Sequence, residues 1–383
     1  MPSCYGNELR VSRFALIATA MLAGGAALSF AQDGPPGITE PTVFAPFDPD
    51  APECSPPPDL TKVLAFAQDN EREFMQGVDK GLAAAAKDRG LEYRRAVANN
   101  DAAKMVDQVQ LFLSSKVGAV VAAPVDPASL SHSLQEIMWS GGYVGTIVPP
   151  PAISLLNAPQ YATGKALTDA AVAYINDHLA GKANVILLTQ DQIEFLAPRF
   201  AAMRDGLKGL PDVTIVADIT PDPVNKEGGF ATMSTILQAH PDIDVVLGAD
   251  TVVLGALAAL EAAGKARPDQ FLGGIDGEPE AVSKIREGGP YKASISLSSP
   301  VFGYAMGQHA ADWLEGKSIP QAMDILPSAL TNENLAQYEA DLVDPAAVYD
   351  DPARRDAYLK MYGNICYDTR DQYVNFPWSS ETK

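Results

Sequence analysis

The sequence predicts an α/β protein of two doubly wound lobes, each a parallel sheet with helices on both faces. Three observations predict it. Short apolar runs alternate with amphipathic stretches from residue 62 onward, the pattern of βαβ units and a parallel sheet covered on both sides. The rhythm stops at Pro149-Pro150-Pro151 and then starts again. The chain has 383 residues, 47% of them hydrophobic, enough for more than one core.

The first half reads as follows. Residues 62–67 form a buried strand, and 71–89 an amphipathic helix ended by Gly90. Residues 91–98 are a second strand, and 101–115 a helix capped by Asp101. Strands at 118–123 and 143–148 flank a helix at 127–140. After the prolines, a helix at 161–180 leads to a strand at 184–189, and a helix at 193–209 to a strand at 213–219. The helix 226–239 leads to 244–248, and the helix 252–263 to 270–275. A short helix at 279–287, a strand at 292–296 and a helix at 301–315 complete the series. Ligands of open α/β sheets sit beyond the carboxyl ends of the strands, so two facing lobes make a cleft.

The ends differ in texture. Residues 32–60 hold nine prolines; such a segment neither continues a helix nor pairs in a sheet, and an extended arm is expected. Residues 332–383 are acidic and then Tyr-rich, and a mostly helical and irregular wrap is expected. Residues 1–31 read as a secretory signal: Arg10 and Arg13 precede an apolar run from Phe14 to Phe30, and Ser29-Phe30-Ala31 supplies small residues for cleavage. The alternative is a membrane anchor, for which this run rich in Ala and Gly is short and weak. Cys4 lies in the signal, leaving Cys54 and Cys366. Export implies an oxidising compartment, where a Cys54–Cys366 disulfide persists; two buried free thiols are the alternative.

The formal net charge is −20, and near −21 without residues 1–31, which carry Arg10, Arg13 and Glu8. That argues against nucleic acid and against an anionic membrane surface as partners. Histidines at 132, 178, 240 and 309 are scattered, with no metal-ligand spacing. There is no Gly-x-Ser-x-Gly elbow and no phosphate loop. Neither catalysis, nor a cofactor, nor a metal is expected.

Four segments resemble the type I periplasmic binding proteins of the ribose and galactose group. They are Ala239-His240-Pro241-Asp242-Ile243-Asp244 before a strand, Ala249-Asp250-Thr251 leading into Leu254-Gly255-Ala256-Leu257, Ala262-Ala263-Gly264-Lys265, and Gly273-Gly274-Ile275-Asp276-Gly277. Their order and spacing also match, and the resemblance covers roughly residues 62–327. It implies one lobe of residues 60–157 plus 298–322, a second of 158–297, a multi-strand hinge, and a ligand cleft between lobes. Residues 323–383 fall outside it as a C-terminal extension.

The resemblance also implies ligand positions. The loop after the first strand supplies polar and aromatic groups, here Gln68, Asp69 and Asn70, then Phe74. Asp69 could instead cap the next helix. An Arg is expected in the helix after Thr189, and Arg199 fits, with a surface ion pair to Asp191 or Glu194 as the alternative. Arg204, deeper in that helix, reads as structural. Asp276 matches a ligand carboxylate. Asp250 also ends a strand and either binds ligand or caps the next helix. Phe195 is a stacking candidate from the second lobe, or a core residue. Three positions depart from the family, with Val148, Ala249 and Leu297 where relatives carry polar contacts.

The expected function is an exported, periplasmic, monomeric protein that captures a sugar, polyol or sugar-like ligand by hinge closure and delivers it to an ABC permease. A ligand sensor for a chemoreceptor or sensor kinase is the alternative from another class.

Overall fold

A computed structural model describes residues 36–147 and 150–381. The signal at residues 1–31 and the departure at Val148 lie outside the described residues. No helix among the described residues is long and apolar enough to cross a membrane.

The first lobe opens with β1 (Thr61–Gln68), α1 (Glu73–Asp88), β2 (Glu92–Val97), α2 (Ala102–Ser114), β3 (Val117–Ala122), α3 (Pro127–Trp139), β4 (Tyr143–Ile147) and β5 (Ser154–Asn157). The second is α4 (Gln160–His178), β6 (Lys182–Leu188), α5 (Ala197–Leu207), β7 (Asp212–Ile219), α6 (Lys226–Ala239), β8 (Val245–Leu247), α7 (Asp250–Ala262), β9 (Phe271–Ile275), α8 (Pro279–Glu287) and β10 (Tyr291–Ser296). The chain then runs through α9 (Ser299–Leu314), β11 (Ala322–Ile325), β12 (Ser328–Leu330), α10 (Leu335–Val343), α11 (Pro345–Asp350), α12 (Pro352–Tyr358) and β13 (Leu359–Tyr362).

Two sheets result, in strand orders β13-β11-β5-β4-β3-β1-β2 and β12-β10-β9-β8-β6-β7. All neighbours pair parallel except the edge strands β13 on β11 and β12 on β10. The central strands are buried along their length, as at β3 and β9, because helices cover both faces. The chain therefore passes between sheets after β5, after β10, after β11 and again between β12 and β13.

Local chemistry explains most boundaries. Asp101 caps α2 by accepting from the Lys104 amide, and Asn225 caps α6 by accepting from the Gly228 amide. Gly90, at φ +65°, turns the chain after α1. The helix expected at 193–209 starts only at Ala197. Pro198 is the reason: it has no amide hydrogen and fits only the first turn of a helix.

Three other expectations need correction. β5 follows the prolines directly and joins the first sheet, so the rhythm does not restart with a helix. The arm does pair, at isolated bridges Ile38–Val374 and Pro46–Tyr362. Pro46 never has to donate there, because the Phe47 amide bonds to Met361 and the Ala45 carbonyl accepts from Gly363. The tail is more than a wrap, since β13 forms the edge of the first sheet and Val374, Phe376 and Trp378 build a small core with Ala152, Leu155 and Ala322. A Cys54–Cys366 disulfide ties arm to tail, with Cα atoms 6.1 Å apart.

Candidate functional site

A cleft of about 840 Å³ opens where the carboxyl ends of both sheets converge, a volume suited to a small molecule. A second cavity of about 920 Å³ lies under the proline arm, beside Leu326 and the start of β13. Among the described residues, no group of three His, Cys, Asp or Glu side chains could hold a metal.

Asp276 follows β9 and opens into the cleft. Its φ is +116°, a conformation that side-chain-bearing residues rarely adopt. Such strain persists only where the surroundings enforce it, and it concentrates at functional sites. Burial pushes its carboxyl above the usual range, and the charges of Arg199 and Arg72 pull it down.

Arg199 stands in the first turn of α5 and lines the cleft, with 6% of its surface exposed. Its Nε donates to Gln160 Oε1 at 2.8 Å. Burial lowers its pKa, and Asp276 raises it. No carboxylate among the described residues forms an ion pair with it. Asp191 pairs instead with Arg204, whose fork also holds Asp218. A buried guanidinium with free donors, facing a carboxylate, suits a ligand carrying both donors and acceptors.

Asp250 has a different place. It is wholly buried as the first residue of α7, and Ala249 holds the cap position without a side-chain bond. Its Oδ1 accepts from the Tyr291 hydroxyl at 2.6 Å, and its Oδ2 from Ser294 Oγ at 2.6 Å and the Glu278 amide at 2.8 Å. The Gly277 amide donates to Ser294 Oγ at 3.0 Å. This network lies under the 276–278 loop and fixes its backbone. Burial pushes Asp250 up to about 8, against the hydrogen bonds from Ser294 and Tyr291.

The loop after β1 is divided as well. Asp69 lines the cleft and pairs with Arg72 at 2.9 Å; it does not cap α1, whose cap position is Arg72. Gln68 is wholly buried and donates to the Asn70 carbonyl at 2.5 Å. Asn70 is spent on Asp69, Asn100 and the Arg72 amide. Gln68, Asn70 and Asp250 therefore shape the cleft from beneath rather than line it.

Phe74 and Phe195 reach the cleft from opposite lobes. The Phe74 ring also stacks on Phe302, at 6.4 Å between centroids, while Phe195 is 62% exposed. Ala249 and Leu297 line the cleft as apolar surface.

Sequence reasoning missed Arg72, Gln160, Glu278 and Tyr338, all of which line the cleft. Gln160 stands just past a crossing between sheets, at the start of α4, which was the signal available for it. Glu278 is pushed up to about 7 by burial and then by Asp276, Glu280 and Glu73.

Two such lobes with a cleft of ligand size at the strand ends, lined by apolar side chains and a few charged ones, are the architecture of a solute-binding protein. Residues 63–318 match the family described as periplasmic binding protein domain, and the chain belongs to it. Relatives in this family are binding proteins, not enzymes. The chain is 27% identical over 261 residues to the ribose import binding protein of Bacillus subtilis, covering 65% of this chain and 80% of that one. It is 25% identical over 288 residues to the xylitol-binding protein of Mycolicibacterium smegmatis, covering 72% and 78%. Among solved structures, a Mycobacterium smegmatis ABC transporter solute binding protein with bound glycerol superposes at TM-score 0.60 and 26% identity, covering 72% of this chain and 96% of that one. A Bacillus halodurans solute binding protein with bound myo-inositol gives TM-score 0.61 at 22% identity, covering 74% and 99%.

Proposed function

We propose that this protein is exported to the periplasm by residues 1–31, captures a small polyol or sugar-like solute by hinge closure, and delivers it to the permease of an ABC importer. One observation carries the reading: Arg199 and Asp276 line the same cleft of ligand size from one lobe, and among the described residues neither is ion-paired, the guanidinium being bonded only through Nε to Gln160. A guanidinium donates and a carboxylate accepts, so together they read hydroxyls in fixed directions. Relatives named for ribose import and for xylitol support the same ligand class. Apolar Ala249 and Leu297 favour a ligand with fewer polar contacts on one side than a pentose or hexose makes elsewhere in the family.

We take residues 60–157 with 298–322 as one lobe and 158–297 as the other, each contributing contacts that a bound ligand would bridge in the closed form of a monomer. A thermal-shift screen of myo-inositol, xylitol, ribose and glycerol tests this. At least one should raise Tm and make the protein more compact in solution scattering, and Asp276→Ala should abolish both effects. A flat screen with unchanged scattering would sink the reading.

A further inference from the structure

Helix α10 lies beyond the matched family segment, which ends at residue 318. It nevertheless lines the cleft, through Tyr338, Glu339 and Leu342. Leu335 and Tyr338 are buried in the second lobe's core beside Leu330 and Tyr291. The Tyr338 hydroxyl and Ser296 Oγ share a hydrogen bond of 2.5 Å, and Arg286 of α8 pairs with Glu339 at the rim. From the next turn, Asp341 accepts from Tyr358 at 2.6 Å and pairs with Arg354. Both belong to α12, which runs into β13 at the edge of the other sheet. One helix is thus fastened to both lobes.

Tyr338 also touches the ligand loop. A Cβ placed on Gly277 would lie 3.1 Å from the Tyr338 oxygen and 3.0 Å from Ser296 Oγ. Asp250 and Ser294 hold the 276–278 backbone from one side, and Tyr338 closes the other.

We propose that α10 is a working wall of the ligand cleft: Tyr338 positions the loop that carries Asp276, and Leu342 bounds the bound solute, so that selectivity is set partly by the C-terminal extension. This rests on the cleft being the ligand site, as read above. The wall has a consequence for ligand shape. A rigid ring and an acyclic chain of similar polarity meet a fixed apolar boundary differently, so trimming the boundary changes their relative affinity.

Two single variants of the full chain test the proposal. In Tyr338→Phe the ring stays packed and only the hydroxyl is lost; amide exchange in the segment 276–278 should rise about tenfold while exchange elsewhere in the second lobe is unchanged. In Leu342→Ala the ratio of myo-inositol to xylitol affinity, measured by calorimetry, should change by about threefold or more. General loosening would weaken both ligands equally and leave the ratio fixed. Unchanged exchange in the first variant, or an unchanged ratio in the second, overturns the proposal. If the unaltered protein binds none of the four solutes of the screen, the solute reading fails, and the exchange measurement alone decides the role of α10.

Discussion

The Tyr291 hydroxyl donates to Asp250 Oδ1 at 2.6 Å, directly beneath the loop that carries Asp276. Two aspartates that each follow a parallel strand thus have opposite places. Asp250 gives both oxygens to protein donors, and Asp276 is left to the cleft. A buried carboxylate with three donors is costly to disturb, because losing it leaves two hydroxyls and an amide without their acceptor. Asp250→Ala should cost about 2–4 kcal/mol of stability by urea unfolding, and Tyr291→Phe about 1–2 kcal/mol. Equal, small losses would show that the network holds nothing in place.

Asp250 also gives a pH dependence. Its folded pKa is raised to about 8, against roughly 3.9 in an unfolded chain. The folded protein holds this proton more tightly, so the contribution to stability is full below about pH 4 and is lost as pH rises through about 8. Asp250→Asn cannot titrate there. The stability advantage of the unaltered protein over Asp250→Asn should therefore be larger at pH 5 than at pH 8.5. The same difference at both pH values would refute the assignment.

Arg199 and Arg204 lie on the same helix and separate a ligand role from a surface one. Arg204 holds Asp191 and Asp218 with its side chain about a third exposed, and exposed pairs contribute about 1 kcal/mol or less. Arg204→Ala should lower stability by about that much and leave ligand affinity unchanged. Arg199→Ala should weaken binding of any solute found in the screen by about tenfold or more, the expected loss of a charge-assisted contact. Calorimetry on both variants checks the contrast, and similar affinities for the two would refute it.

Much of the fold was legible because local signals and burial agree. The caps Asn225 and Asp101 and the N-terminal Pro279 mark α6, α2 and α8 within a residue or two. The strands β5, β11 and β12 were not legible. Each has only three or four residues; β8 is as short but stands between two helices, whereas β4–β5 and β11–β12 follow one another with no helix between and break the alternation. The site follows the same rule. Arg199 and Asp276 are marked by their family positions. Nothing local distinguishes Asp250 from Asp276, because the difference is made by Tyr291 and Ser294 on β10, some 41 and 44 residues away. Tyr338 reaches the cleft only because the tail crosses back between the sheets.

The Cys54–Cys366 bridge spans 312 residues of sequence, so it removes much freedom from the unfolded chain. The arm is also held by backbone bonds along its length, among them the Cys54 amide on the Gly316 carbonyl, the Phe47 amide on Met361 and the Ile38 amide on Tyr373. The variant with both cysteines changed to serine should lose about 2–5 kcal/mol in urea unfolding. Reductant should have no further effect on it. An unchanged midpoint would mean that the sheet edge at β13 holds without the strap.

Asp276 is the place where stability and binding are expected to part. At φ +116° its backbone is strained by about 1–3 kcal/mol in the free protein, and its carboxyl is raised by burial. Glycine adopts this conformation freely, at the cost of about 1 kcal/mol of extra freedom in the unfolded chain. Asp276→Gly should therefore fold as stably as the unaltered protein or up to about 1 kcal/mol more so, and should lose the ligand-induced rise in Tm. Asp276→Ala keeps the strain and loses the carboxylate, so it should lose the rise without the gain in stability. Measuring Tm with and without ligand for all three proteins separates strain from recognition. If Asp276→Gly were clearly less stable than Asp276→Ala, the carboxylate's unfavourable backbone would not be what the fold is holding in place for the ligand.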